Sequence, residues 1–200
     1  MRRKYHVDRV VLIYRCVARY RSGLRREIRQ EGWKVGGVAL PNKEFERRES
    51  ESVLSISGDI TLEEVRQTAV SEAIRRFGRI DVLVNNAGIG LYASASDTSP
   101  DLFLRLLETN LFAALALTQL VIPAMRHRRS GIIVNISSVG AYVAPPWAAA
   151  YSSFKVAFRS MTDSLRVELR RDGIRVVTIC PGIVDTKFRQ NVLGGVPPFP

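Results

Sequence analysis

Along the chain, short runs of β-branched and aliphatic residues alternate with longer segments whose apolar positions recur at helical spacing. Arg9-Val-Val-Leu-Ile13 reads as a buried strand, Ser22 to Gln30 as a helix ended by Gly32, and Trp33 to Leu40 as a second strand. Val53-Leu-Ser-Ile56 is a short third strand. Thr61 to Phe77 starts at a threonine with Glu64 three residues on, a helix-start pairing, and closes at Gly78. Asp81-Val-Leu-Val84 then reads as a strand and Asp101 to Met125 as helical. Gly131 to Ile136 is a strand, Ala148 to Arg171 a helix ending before Gly173, and Ile174 to Ile179 the last strand. Apolar strands separated by helices of this length imply βαβ crossovers. The expected fold is α/β, a doubly wound parallel sheet in three α/β/α layers that binds its ligand at the carboxyl ends of the strands.

Length and composition narrow this picture. At 200 residues and 22.4 kDa the chain suits a single domain, taken over residues 1–200. Its 46% apolar and 24% charged residues exclude a disordered or low-complexity polymer. The longest apolar stretch, Leu111 to Ile122, is interrupted by Thr118 and Gln119, so no membrane span is expected. Arg2, Arg3 and Lys4 have the charge of an export signal, but Arg15 follows Val10 to Ile13 too closely for an apolar core. Cys16 and Cys180 supply neither a disulfide framework nor a metal cluster, and His6 and His127 lack partners at ligand spacing. The expectation is a cytoplasmic protein without a metal site. Of the net charge of +11, residues 1–29 carry +8, with ten Arg or Lys against Asp8 and Glu27, which leaves +3 for the rest. Such an arm attracts nucleic acid. No helix-turn-helix, zinc or aromatic-platform pattern accompanies it, so no nucleic-acid partner is expected.

The chemistry-bearing residues fall at the ends of the expected strands. Asn85-Asn-Ala-Gly88 follows one strand, and Ser137 and Ser138 follow another. Tyr151 and Lys155, four apart at a helix start, share one face. An ammonium there lowers a phenol's pKa and makes it a usable acid or base near neutral pH. A serine hydroxyl beside it steadies a substrate oxygen. Taken singly, each has a plainer reading: a surface Tyr-Lys pair, a serine cap, an asparagine turn, a polar Asn110 on a helix face, an Asp59 cap, a Pro181-Gly182 reversal.

In order and spacing, Asn85-Asn-Ala-Gly88, Ser138, Tyr151-Ser-Ser-Phe-Lys155 and Pro181-Gly-Ile-Val-Asp-Thr186 resemble the short-chain dehydrogenase/reductase family. Gly58-Asp59-Ile60-Thr61 is similar to its adenine-contacting segment, and Asn110 lies where the family has a catalytic asparagine. The resemblance runs from about Asp59 to Thr186 and implies a Rossmann-like domain acting on a small carbonyl or alcohol with NADP or NAD. It implies that Tyr151 exchanges the proton, that Ser138 holds the substrate oxygen, and that Lys155 holds the nicotinamide ribose. It also implies that Asn110 positions a water linked to Lys155. Asp59, Ile60, Asn86, Ala87 and Gly88 would meet the adenosine side, and Pro181, Gly182, Ile183 and Thr186 the nicotinamide side. It further implies a homo-oligomer paired through the long helices. Ala39-Leu40 closes the second strand without a carboxylate, and Lys43, Arg47 and Arg48 follow, which tilts the cofactor toward NADP.

Two stretches depart from the family. Its glycine-rich turn after the first strand would bring backbone amides to a pyrophosphate, yet Tyr14-Arg-Cys-Val-Ala-Arg-Tyr-Arg21 contains no glycine, which makes residues 14–58 atypical. Tyr14 to Gly23, written in permitted codons and read one base later, spells Thr-Gly-Ala-Ser-Arg-Gly-Ile-Gly-Arg. One reading is therefore a one-base shift entering near Tyr14 and restored before Asp59, which sequencing the coding DNA tests. The other is a real loop whose Arg15, Arg19 and Arg21 hold phosphate by charge. After Thr186 only Lys187 to Pro200 remain, so the family's substrate-covering helix and last strand are expected to be missing and the sheet edge exposed. The alternative function is a catalytically silent remnant that folds without productive cofactor binding.

Overall fold

The computed structural model describes residues 9–14, 28, 30–41, 43–46, 49–86, 88–182 and 192–194. In chain order these form β1 (Val10–Tyr14), β2 (Lys34–Ala39), α1 (Lys43–Glu46), β3 (Val53–Ser57), α2 (Glu63–Phe77), β4 (Val82–Asn85) and β5 (Gly90–Tyr92). Then come α3 (Pro100–Leu107), α4 (Ala113–His127), β6 (Gly131–Ile136), α5 (Ala149–Glu168), β7 (Ile174–Ile179) and β8 (Val192–Gly194). Six strands make one parallel sheet in the order β3-β2-β1-β4-β6-β7, with Val11 opposite both Val35 and Val82, and Val84 opposite Val134. The order reverses between β1 and β4, which opens a crevice at their carboxyl ends.

After β3 the chain crosses to β4 and then advances steadily through β6 to β7. Right-handed crossovers therefore place α2, α4 and α5 on the same face. There Ala69, Ala73, Leu117, Val121 and Leu165 pack with Leu12, Leu83 and Ile133 into the main core. The opposite face is a second core of Val11, Ile13, Val35, Val82 and Val84, against which Ile28 and Trp33 pack.

Local chemistry sets the element ends. Gly78 closes α2 in the left-handed region (φ 78°) and returns its N–H to the Ile74 carbonyl at 2.7 Å. The expected cap at Thr61 is not there: the helix begins at Glu63, and the Asp59 carboxylate takes both the Thr61 amide and its hydroxyl at 2.9 Å. Ser99 caps α3 by accepting the Leu102 amide, with Pro100 at the first helical position. A π-helical turn, Glu108–Phe112, joins α3 to α4. The resulting helical stretch Pro100–His127 is long and apolar enough to cross a bilayer by composition, but Leu117, Thr118, Val121 and Met125 bury its inner stripe on the sheet, as a core helix does. The expectation of strands and helices holds almost element by element. The helix expected over residues 22–30 lies largely outside the described residues. Three of these elements were not foreseen: the short α1, β5 and β8. β5 and β8 pair in parallel, Leu91 opposite Leu193, and both side chains pack with Leu106, Ala150 and Phe154. Val192–Gly194 thus stand beside Gly90–Tyr92, while among the described residues β7 is an outer strand of the main sheet.

Candidate active site

Tyr151 and Lys155 share the inner face of α5 because they are one turn apart on a helix whose buried stripe includes Phe154 and Phe158. Ser138 caps a short 3-10 turn, Val139–Ala141, directly after β6, with its hydroxyl accepting the Gly140 amide at 3.1 Å. That turn lies over the tyrosine: a Cβ added at Gly140 would stand 3.1 Å from Tyr151 Cε1 and 3.5 Å from Ser138 Oγ. Tyr151 also meets Phe154 edge-on, with ring centroids 5.1 Å apart. The Lys155 ammonium donates to the Ile136 carbonyl at 3.2 Å and sits 5.4 to 5.8 Å from the rings of Tyr151, Phe154 and Phe158.

Burial dominates both titrating groups. It lowers the Lys155 ammonium to about 8, against a pull upward from Cys180. It also raises the Tyr151 phenol above its ordinary value; the Ser138 hydroxyl draws the phenol back down, and Tyr92 pushes it up. The phenol expected to be lowered by Lys155 is instead raised: desolvation disfavours the phenolate, and the moderating group is the serine.

The Asn110 side chain is held by backbone groups. It lies in the π-helical turn, where its side-chain amide accepts the Ile89 N–H at 2.9 Å and donates to the carbonyls of Ile89 at 3.2 Å and Leu106 at 2.8 Å. These bonds pin the segment after β4 against the helix. Gly88 is required beside it, since an added Cβ would lie 2.7 Å from Asn110 Oδ1. Deeper in the core, Asn85 bridges Thr118 and Asn135, and Asn135 in turn reaches Thr162, tying β4 and β6 to α4 and α5.

A second concavity of about 310 Å³ lies at the ends of β1, β2 and β3, lined by Tyr14, Leu40, Asp59, Ile60, Ile89, Arg105 and others. Asp59 and Ile60 were expected there; Asn86 stands next to it, its amide bonded to the Tyr14 carbonyl at 3.3 Å. Arg105, Glu108 and Thr109 form its helical wall. Their i, i+3, i+4 spacing was the available signal, but only the packed helix shows which face looks inward. Aliphatic walls from Leu40, Ile60 and Ile89 with polar groups at the rim fit a flat base and its sugar, so these residues suit the adenosine half of a dinucleotide. Tyr14 is buried in the floor, and its hydroxyl donates to the Thr109 carbonyl at 3.4 Å. Of the residues expected to meet the nicotinamide, Pro181 accepts the Val139 amide at 3.0 Å through its carbonyl, which ties its turn to Ser138, and Gly182 is exposed. Ala87, Ile183 and Thr186, the altered stretch 15–23, and Arg47 and Arg48 lie outside the described residues.

The family model described as short chain dehydrogenase matches residues 25–195. Among curated relatives, dehydrogenase/reductase SDR family member 7B of Bos taurus is 42% identical over 125 residues, covering 62% of this chain and 38% of its own length. The protein of that name in Danio rerio is 34% identical over 156 residues, 78% of this chain and 50% of its own length. The chain thus spans about two fifths to half of such relatives. A 3-ketoacyl-(acyl-carrier-protein) reductase from Brucella melitensis, solved with NADH, superposes with a TM-score of 0.83 at 28% identity, covering 92% of this chain and 79% of that one. ElxO with NADP bound gives the same TM-score and identity, over 92% and 77% of the two chains.

Proposed function

The chain belongs to the short chain dehydrogenase family, and from that membership we propose that it transfers a hydride between NADP or NAD and a carbonyl or secondary alcohol. The observation that carries this reading is the grouping of Ser138, Tyr151 and a buried Lys155 at the carboxyl edge of β6 and β7. A bound nicotinamide supplies or accepts the hydride; the protein governs the oxygen. In reduction, the Tyr151 O–H donates its proton to the carbonyl oxygen as negative charge gathers there. The Ser138 hydroxyl turns a hydrogen bond toward the same atom. The Lys155 ammonium, fixed by the Ile136 carbonyl, places positive charge beside the phenolate that remains. Asp59, Ile60, Asn86 and Gly88 line the adenosine side, with Ala87 next to them in sequence. Pro181 and Gly182, with Ile183 and Thr186 following, line the nicotinamide side. NADP is favoured because β2 ends at Ala39, with Leu40 next, without a carboxylate, and Lys43 follows.

Tyr151→Phe is expected to lower ketone-dependent NADPH oxidation by about 10²- to 10⁴-fold, while the rise in Tm on adding NADPH persists. A Tyr151→Phe protein as fast as the parent would sink the assignment. A second reading, a folded but silent remnant, is favoured by one feature, the bulky Tyr14 in the cleft floor. A ligand at a hundred times its Kd stabilises the folded state by about 2.7 kcal/mol, so an unchanged Tm at saturating NADPH selects the remnant.

A further inference from the structure

The segment between Ser138 and Tyr151 is unusual for a protein surface. Val139 is 44% exposed, Tyr142 64%, Val143 67% and Trp147 41%; Val139 stands on the turn that covers the Tyr151 ring, Tyr142 ends it, and the other two follow in sequence. A contiguous exposed apolar patch at the rim of a site marks a ligand surface. The segment is also held in place. The Val143 amide bonds the Val139 carbonyl at 3.1 Å, and Trp147 adopts a left-handed backbone (φ 59°) that leaves its carbonyl accepting the Ala93 amide at 2.9 Å. That conformation is rare for a bulky residue and survives only where the surroundings impose it. The same bond fastens this lip to the strand carrying Tyr92, whose phenol acts electrostatically on Tyr151.

Charge is the second observation. No Asp, Glu, Lys, Arg or His occurs between Arg129 and Lys155, nor between Asp81 and Asp97. Lys155 itself is buried under the site. Among the described residues, the cation nearest the lip in its contacts is Arg159, whose guanidinium is stacked 4.5 Å over the Tyr142 ring. Both segments that flank the reacting oxygen therefore carry no charged side chain of their own, and Arg159 is covered on one side by the Tyr142 ring. Along Val139 and Val143 a carboxylate would lose hydration with only Arg159 to meet it, whereas an alkyl chain would cover exposed apolar surface and gain from it.

We propose that the substrate is an uncharged, apolar ketone or secondary alcohol, bound with its oxygen at Ser138 and Tyr151 and its hydrocarbon laid along Val139, Tyr142, Val143 and Trp147. This rests on the reading of Tyr151 and Ser138 given above. The test is a series of 2-ketones from 2-butanone to 2-decanone, with 4-oxopentanoate and ribulose as charged and polyhydroxylated counterparts. Equilibrium binding is measured by calorimetry and turnover by NADPH oxidation. Binding should tighten by about two- to fourfold per methylene over the first several carbons, and Tyr142→Ser with Val143→Ser should flatten that slope. Affinity independent of chain length, or a preference for 4-oxopentanoate that Arg159→Gln abolishes, overturns the proposal even if turnover is seen. Chain-length-dependent binding with no NADPH oxidation for any ketone upholds the apolar site and removes the redox reading instead.

Discussion

At the scale of single residues, desolvation decides more than pairing does. Lys155 titrates at about 8 instead of 10.5 because it is buried. Between those values the unfolded chain holds the proton that the folded chain releases, so stability rises with pH across the window, by on the order of 3 kcal/mol in total. Below pH 8 both states are protonated and the cost is constant. Chemical denaturation from pH 7 to 10.5 should therefore show a rise in the parent that Lys155→Met lacks; parallel curves would show that the ammonium is solvated. Ser138 is the group that draws the Tyr151 phenol downward. Ser138→Ala is accordingly expected to move the ascending limb of alcohol oxidation, where the phenol ionises, to higher pH and to slow the reaction by about 10²-fold or more, and a pH-rate profile reads both. The Tyr151–Lys155 pair was legible in the sequence because i, i+4 spacing on a helix fixes a shared face whatever surrounds it. The direction of the phenol's pKa was not, since burial of a side chain is a property of neighbours far along the chain.

At the scale of elements, the π-helical turn and the segment after β4 form one unit. Asn110 supplies three hydrogen bonds to backbone groups of Ile89 and Leu106. Asn110→Ala leaves those groups short of partners and should cost about 3 kcal/mol, measured as a shift in denaturation midpoint. Gly88→Ala should act through the same contact, because the new methyl would stand 2.7 Å from Asn110 Oδ1. The two losses are then less than additive in the double variant. Full additivity would mean the glycine serves something else. The sequence placed Asn110 on a helix and Gly88 in a turn, but their contact required the helix to pack against that turn. β5 and β8 show the same limit more sharply. Each is three residues long, and neither has a periodic signature that could announce its partner.

At the scale of the whole molecule, two features of the chain pull toward different partners. The basic N-terminal arm offers charge, whereas the crevice offers aliphatic walls and a fixed acid. Retention on duplex DNA at about 0.15 M salt is expected to be absent; a linear fall of log affinity with log salt would show that the arm holds phosphates. The alternation of apolar strands and amphipathic helices determined the sheet and its parallel strands, because hydrophobic periodicity is read locally and right-handed crossovers leave few ways to assemble it. It likewise put Ser138, Tyr151 and the Asn85-Asn86 turn at the carboxyl edge, since each stands beside a strand or on the helix that follows one. The tertiary structure alone decided which face of the helix beginning at Pro100 lines the cleft beside Asp59 and Ile60, and what Asn110 holds. It alone brought Val192–Gly194 back to Gly90–Tyr92 and raised the phenol it surrounds. Those outcomes depend on burial and on contacts between segments up to a hundred residues apart, and no local pattern encodes either.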